Sequence, residues 1–226
     1  MMTDFYNEIY ENLYANHGYH ASDALNSTHY PVFFTACLTP SQIEYESVLD
    51  VGCSTGIGIK SFFEPLGKVC EGVDVSKTAV EKANGRGVKA QVASITDLPF
   101  EDNSFDLVCS TDVVEHLRPE DQEKAHRECF RVSKKYVAHM ICNTREGNKF
   151  NNQTLHLTVQ GAQSWYDYFE HLNLEGWELV YKMTPELYAG LKDDIRKAID
   201  FPGVDPFPTF DVWNARRTVV IFEKKG

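Results

Sequence analysis

The sequence predicts an α/β fold: a doubly wound, three-layer sandwich built on a seven-stranded, mostly parallel sheet with an antiparallel C-terminal strand. Three observations carry this. From residue 45 onward, short apolar runs alternate with amphipathic segments, the pattern of strands joined by right-handed helical crossovers. The runs read as apolar on both faces, as strands covered on each side by helices should be. The first run, "SVLDV" (47–51), leads directly into a glycine-rich turn, "GCSTGIG" (52–58).

In chain order, residues 1–40 come first and read as a helical cap. Phe5, Tyr6, Ile9, Tyr10, Leu13 and Tyr14 recur there at helical spacing and form one packing face. Strands are expected at 47–51, 69–74, 88–92, 105–110 and 136–142, and helices between them at 57–65, 76–84 and 119–133. The last of these helices opens with Pro119, followed by Glu120 and Asp121, which suit the positive end of the helix dipole. The C-terminal third departs from the alternation. A helix at 160–173 precedes a strand at 176–183, and "TPELYAGLKDDIRKAI" then reads as a helix capped by Thr184 with Pro185 in its first position. A loop with Pro202, Pro206 and Pro208 follows, and a strand at 216–223 closes the sheet as one of an antiparallel pair. Residues 184–212 are thus an insertion between the last two strands of a single domain spanning 1–226.

Composition removes several function classes. The formal net charge is −11, so no broad face neutralises nucleic-acid phosphates; "KK" (134–135) and "RR" (216–217) read as solvated element ends. The N-terminus is acidic and aromatic rather than a secretory signal, and no apolar run is long enough to span a membrane. Cys37, Cys53, Cys70, Cys109, Cys129 and Cys142 lack CxxC spacing, and most sit inside apolar runs. They read as small buried hydrophobes in a reducing compartment, which makes the cytoplasm the expected location. No metal site is expected: His17 and His20 are three apart, but no further ligand follows at metal spacing.

In an open parallel sheet, ligands bind beyond the carboxyl ends of the strands where strand order reverses, and the glycine turn lies at such an end. Asp50, Gly52, Ser54, Gly56 and Gly58 spell D-x-G-x-S-x-G-x-G. Glycine lets the backbone approach a ligand, and the helix that follows presents free amides. Asp74, about 20 residues on at the end of the second strand, is placed to accept both ribose hydroxyls of a nucleoside. The spacing does not match the dinucleotide pattern G-x-G-x-x-G, because Ser54 and Ile57 stand where glycines are required after Gly52. Asp50 before the turn also disfavours a pyrophosphate and suits a ligand carrying an ammonium or sulfonium group.

The stretches "VLDVGCSTGIG", "GVDVS" and "VASITDLPFEDNSFDLVCSTDVVEHL" resemble successive motifs of class I S-adenosylmethionine-dependent methyltransferases, in the small-molecule, type 11-like branch. The resemblance covers residues 45–142 and implies a Rossmann-like sheet with S-adenosyl-L-methionine as cofactor. It implies that Asp50, Gly52, Cys53 and Gly56 hold the methionine and ribose part, that Asp74 holds the ribose, and that Val75 lies beside the adenine. After the third strand the family usually carries an acid on the adenine amine. Here Ser94 and Ile95 stand there, which leaves recognition by the Ile95 backbone. Ser110 and Thr111, at the end of the fourth strand, would lie against the methyl donor, with Tyr14 and Tyr19 of the N-terminal cap sheltering the cationic sulfur.

The acceptor side follows the fourth strand: Ser110, Thr111, Asp112, Glu115 and His116. His116 is expected either as a general base or as a structural histidine at a helix start. His156 lies after the fifth strand, where this fold lines its acceptor pocket, next to Asn151, Asn152 and Gln153. That amide-rich loop suits a sugar or hydroxylated metabolite, and suits ordinary surface chemistry equally. The expected function is methyl transfer to oxygen or nitrogen of a small polar acceptor, by a monomer or homodimer without nucleic-acid or membrane partners. Two rivals remain: a cofactor-binding scaffold without catalysis, and a nicotinamide-dependent oxidoreductase, which the glycine spacing disfavours.

Overall fold

The computed structural model describes residues 2–19, 38, 43–144, 149–187, 189 and 217–226. Its central sheet has seven strands in the order β3-β2-β1-β4-β5-β9-β8. These are β1 (Ser47–Val51), β2 (Val69–Asp74), β3 (Lys89–Val92), β4 (Phe105–Thr111), β5 (Ser133–Cys142), β8 (Trp177–Lys182) and β9 (Arg217–Lys224). Strands β1 to β5 pair in parallel, and β9 runs antiparallel to both of its neighbours, β5 and β8. A short hairpin of β6 (Lys149–Phe150) and β7 (Gln153–Thr154) lies outside this sheet. The chain winds outward from β1 to β3 and then crosses back to β4, so strand order reverses between β1 and β4. The crevice beyond their carboxyl ends is therefore the place for a ligand.

Successive strand residues face opposite layers, as the period of two requires. Val48, Leu107, Ala138 and Ile221 join one core layer with Ile59 and Phe63; Leu49, Val108, Val137 and Val220 join the other with Trp165, Phe169 and Phe130. The second layer is closed by α3 (Gln122–Val132) and α4 (Ala162–His171). Strand β3 differs from the expectation of two covered faces. It is an edge strand whose Lys89, Gln91 and Val92 are exposed, and among the described residues no strand pairs beyond it.

Two boundaries also differ. The expected helix 119–133 is a tight 3-10 turn at Pro119–Asp121 followed by α3, and β5 begins at once with Ser133 rather than at 136. The amides of Asn103 and Ser104 take the carbonyls of Arg131 and Val132, which ends the helix there. Lys134 and Lys135 are exposed strand residues, so an apolar pattern does not find them. The helix expected at 57–65 is helical over 57–66, with wide turns at Ile59–Phe63 and a tight turn at Glu64–Leu66. Pro65 stands in that final turn, and Gly67 ends it at φ 71°.

The N-terminal segment forms α1 (Met2–Asn16), with Tyr6, Leu13 and Tyr14 buried. Residues 20–37 of the expected cap lie outside the described residues, as does most of the 184–212 insertion. The Thr184 cap is present: its Oγ1 accepts from the Leu187 amide at 3.3 Å. Among the described residues, no helix is long and apolar enough to cross a membrane.

Candidate active site

The glycine turn leaves β1 with Gly52 at φ 78° and Gly56 at φ 76°, a region that L side chains rarely occupy. A Cβ on Gly52 would meet Val113 at 2.4 Å, and one on Gly56 would meet Val88 at 2.9 Å. Ser54 shares this left-handed backbone at φ 52°. The Gly52 and Cys53 amides both donate to the Val73 carbonyl, tying the turn to β2. The Cys53 thiol occupies the space above Gly72, where a Cβ would approach Sγ to 2.5 Å. Its side chain is therefore core, and its place in the turn rests on the backbone alone. Asp50 is wholly buried in β1, on the layer that holds Cys53 and Cys109; burial pushes both thiols up and the Asp50 charge adds to the rise.

Asp74 ends β2 beneath the turn. Its Oδ2 accepts from the Ser54 amide and its Oδ1 from the Ser76 amide, each at 2.9 Å. Burial pushes its carboxyl up to about 6 even though these amides and that of Val75 favour the ionised form; the nearby Glu11 carboxylate adds to the rise. Ser76 caps α2 (Lys77–Gly85). Glu11 of α1 reinforces that cap by accepting from Ser76 Oγ, Thr78 N and Thr78 Oγ1. Val75 and Ala93 are half-buried against the same core layer, and Ile95 is buried. The Ser94 hydroxyl turns into its own loop, 2.8 Å from Thr96 Oγ1. Two buried hydroxyls at this edge, Thr55 Oγ1 in the turn and Thr111 Oγ1 at the end of β4, have no hydrogen-bond partner. Orphaned polar atoms at the mouth of a crevice are what a polar ligand satisfies.

Ser110, expected at the methyl-donor edge, lies below it. Its Oγ sits 2.8 Å from His139 Nδ1 inside the sheet, and the residue is fully buried. The strand's period of two decides this, turning Ser110 into the layer that also holds His126.

Helix α1 runs over this edge. Tyr14 Oη donates to Ser54 Oγ at 2.6 Å, and Tyr19 meets the Tyr14 ring edge-on at 5.4 Å between centroids. Tyr10 Oη lies 2.7 Å from His116 Nδ1. Tyr6 accepts from the Arg118 amide and donates to Asp121, while the Arg118 guanidinium stacks on Phe5. The loop after β4 is thereby pinned to α1 at three points.

His116 sits in the 3-10 turn Val114–His116. Its Nδ1 also lies 3.1 Å from the Leu155 carbonyl. A carbonyl only accepts, so the proton belongs on Nδ1 and the lone pair on Nε2. A narrow cleft with about 10 Å³ of room for a water-sized sphere lies between α1 and the β6–β7 hairpin. Phe5, Tyr6, Tyr10 and Phe150 give it aromatic walls, and His116 and Thr154 are its polar contributors beside the tyrosines. His156 stands edge-on to His116 with centroids 4.5 Å apart, and its Nδ1 lies 2.6 Å from the Thr144 carbonyl.

One group escaped the sequence reading. Glu115, Cys142 and His156 bring one ligand atom each within 4.8 Å of one another, all buried. The three are separated by tens of residues and carry no spacing signal. Cys142 was expected to be an inert hydrophobe. Burial does push its thiol up, but the His156 hydrogen bond, the Arg217 charge and Thr144 outweigh that and bring it down to about 7.

Comparison with known proteins bears on the family and the fold. Residues 49–139 match the family described as a methyltransferase domain. A phosphoethanolamine N-methyltransferase of Plasmodium falciparum is 28% identical over 177 residues, covering 76% of this chain and 59% of that protein. A chloroplastic tocopherol O-methyltransferase of Arabidopsis thaliana is 33% identical over 96 residues, covering 39% of this chain and 27% of that protein. The chain thus spans less than two thirds of the length of these relatives. A structure of Haemonchus contortus phosphoethanolamine N-methyltransferase 2 with S-adenosyl-L-methionine shares the fold at a TM-score of 0.59 and 17% identity, covering 95% of this chain and 59% of that one.

Proposed function

We propose that this chain, whose residues 49–139 match a methyltransferase domain, is a class I S-adenosylmethionine-dependent methyltransferase of the type 11 branch that methylates nitrogen or oxygen of a small polar acceptor held in the Tyr10–His116 cleft. The observation that carries the acceptor assignment is the Tyr10 Oη–His116 Nδ1 contact of 2.7 Å in a cleft lined by α1, the helix whose Tyr14 bonds Ser54 of the glycine turn. The cofactor's place is supported by the buried Asp74 carboxylate and by the orphaned hydroxyls of Thr55 and Thr111. S-adenosyl-L-methionine supplies, when bound, an already activated methyl group on a sulfonium.

The protein's own part is placement and proton removal. Asp74 accepts the ribose hydroxyls, Val75 and Ile95 flank the adenine, and the Ser94–Ile95 backbone reads its edge. The turn of Gly52, Cys53 and Gly56, with Asp50 beneath, carries the amino-acid end. Tyr14 and Tyr19 exclude water from the cation and present ring electrons to it. His116 Nε2 would take the proton that the acceptor loses as its lone pair displaces the sulfur from the methyl carbon, the sulfur leaving as a neutral thioether with the electrons of the broken bond. Tyr10 and the Leu155 carbonyl fix that tautomer, and His156 holds the ring edge-on, so it acts as a positioning residue. Helix α1 belongs to the same single domain and covers the mouth. Five free thiols among the described cysteines fit a reducing compartment such as the cytoplasm, and the net charge of −11 fits a small acceptor rather than a nucleic acid.

The test is turnover of S-adenosyl-L-methionine against a panel of amines and hydroxylated metabolites, read by mass spectrometry. His116→Ala should lower kcat about 10²- to 10⁴-fold, the range of a general base, with cofactor affinity unchanged. Full activity in that variant would remove His116 from the chemistry. Cofactor binding with no turnover on any acceptor would favour the non-catalytic scaffold.

A further inference from the structure

We propose that Glu115, Cys142 and His156 form a three-ligand site for a divalent cation of the zinc class, leaving one coordination position for water or an acceptor heteroatom. The inference does not rest on the methyl-transfer reading. The three ligand atoms lie within 4.8 Å of one another and all three residues are buried. Tetrahedral zinc with thiolate, imidazole and carboxylate ligands needs ligand atoms roughly 3.3–3.8 Å apart, so closure requires shifts of about 1 Å or less.

Two independent features point to a cation. Glu115 is 0% exposed, and its Oε2 has no hydrogen-bond partner, while its Oε1 accepts from the Cys142 amide at 3.0 Å. An orphaned buried carboxylate oxygen is a costly arrangement unless something positive meets it. The surrounding charge has the matching sign. Asp112, Glu115 and Cys142 offer three acidic groups against one cation among the described residues here, the Arg217 guanidinium, which lies 3.5 Å from Asp112 and also meets the Cys142 thiol. Burial and the neighbouring Asp112 charge both push the Glu115 carboxyl well above its ordinary value.

The supporting shell also fits. His156 Nδ1 lies 2.6 Å from the Thr144 carbonyl. That contact fixes the ring, as backbone carbonyls do for zinc-bound histidines, and leaves the other ring nitrogen, which meets the Cys142 thiol in the metal-free protein, to take the metal. The mixed sulfur, nitrogen and oxygen set suits zinc better than magnesium or calcium, which take oxygen ligands. Three protein ligands with an open fourth position is the arrangement of reactive rather than structural zinc sites. His116, with its ring 4.5 Å from that of His156, places this group beside the acceptor cleft.

The test uses the full chain after chelator treatment, titrated with zinc chloride by calorimetry and with cobalt(II) by absorbance. One equivalent per chain is expected, with a cobalt–thiolate charge-transfer band. Binding should release protons from Glu115 and Cys142, seen as a calorimetric heat that changes with the buffer's ionisation enthalpy. Cys142→Ser should abolish the thiolate band, and His156→Ala should weaken zinc roughly tenfold or more. His171→Ala, at an exposed histidine, should change nothing. The thiolate band is read on the unmutated protein, so it stands even if a variant folds poorly. No saturable binding, cobalt binding without a thiolate band, or affinity retained in folded Cys142→Ser would each overturn the site.

Discussion

Lowering the pH from 7.5 to 5 should weaken binding of S-adenosylhomocysteine about elevenfold, through Asp74. In the ligand-free protein this carboxyl is pushed up to about 6, chiefly by burial, so at pH 5 only about one chain in eleven presents the ionised form that ribose hydroxyls donate to. That fraction corresponds to about 1.4 kcal/mol of binding free energy. Glu11, the nearest other carboxylate, is held below its ordinary value by hydrogen bonds from Thr78 and Ser76, which outweigh its slight burial, and so stays charged across the window. Folding is linked in the opposite sense to the usual acid. The folded value exceeds the unfolded one near 3.8, so the folded state binds more protons between 3.8 and 6. Asp74's contribution is therefore complete below 3.8 and is lost as pH rises through 6, at a cost of about 3 kcal/mol. Calorimetric titration at half-unit pH steps measures the slope, and Asp74→Asn supplies the control. The variant should bind about 10- to 100-fold more weakly at pH 7.5, the scale of hydrogen bonds to a charged group, with no slope between 7.5 and 5. A flat wild-type profile, or a slope that persists in Asp74→Asn, would refute the assignment of Asp74 as the ribose acid.

Three further outcomes are expected. Gly56→Ala places a Cβ 2.9 Å from Val88 and 3.0 Å from Ala83 at φ 76°, and should cost about 2–4 kcal/mol in urea unfolding from left-handed strain plus overpacking. His139 is fully buried, which drives its imidazole down to about 3. The unfolded chain then binds the extra proton, so stability is intact above about 6.5 and falls as pH drops towards 3; relative to His139→Gln, the wild type should lose about 2 kcal/mol between pH 8 and 5. Hydrogen exchange should show Tyr10 to Tyr19 gaining protection when S-adenosylhomocysteine binds, and equal exchange in both states would leave α1 a purely structural helix.

What the sequence determined by itself was the sheet and its ligand edge. Buried parallel strands such as β1 and β4 need apolar residues on both faces, and a turn that approaches a ligand needs glycine, so the local chain records both requirements. Asp74 was legible for the same reason, since its position at a strand's end follows from counting along the chain. Edge strand β3 and the start of β5 were harder to read, because Lys89, Lys134 and Lys135 satisfy a strand from its exposed side. The tertiary structure alone decided which polar residues meet. The period of two sent Ser110 inward to His139, and the stitching of segment 155–158 to Glu115 and Leu117 brought His156 against His116. Likewise, Glu115 and Cys142 became neighbours only because β5 lies beside β4, where the Cys142 amide reaches the Glu115 carboxylate. Helix and strand periodicities act over a few residues and leave a pattern in the chain. A contact between side chains tens of residues apart leaves none, and is fixed only when the sheet's register is.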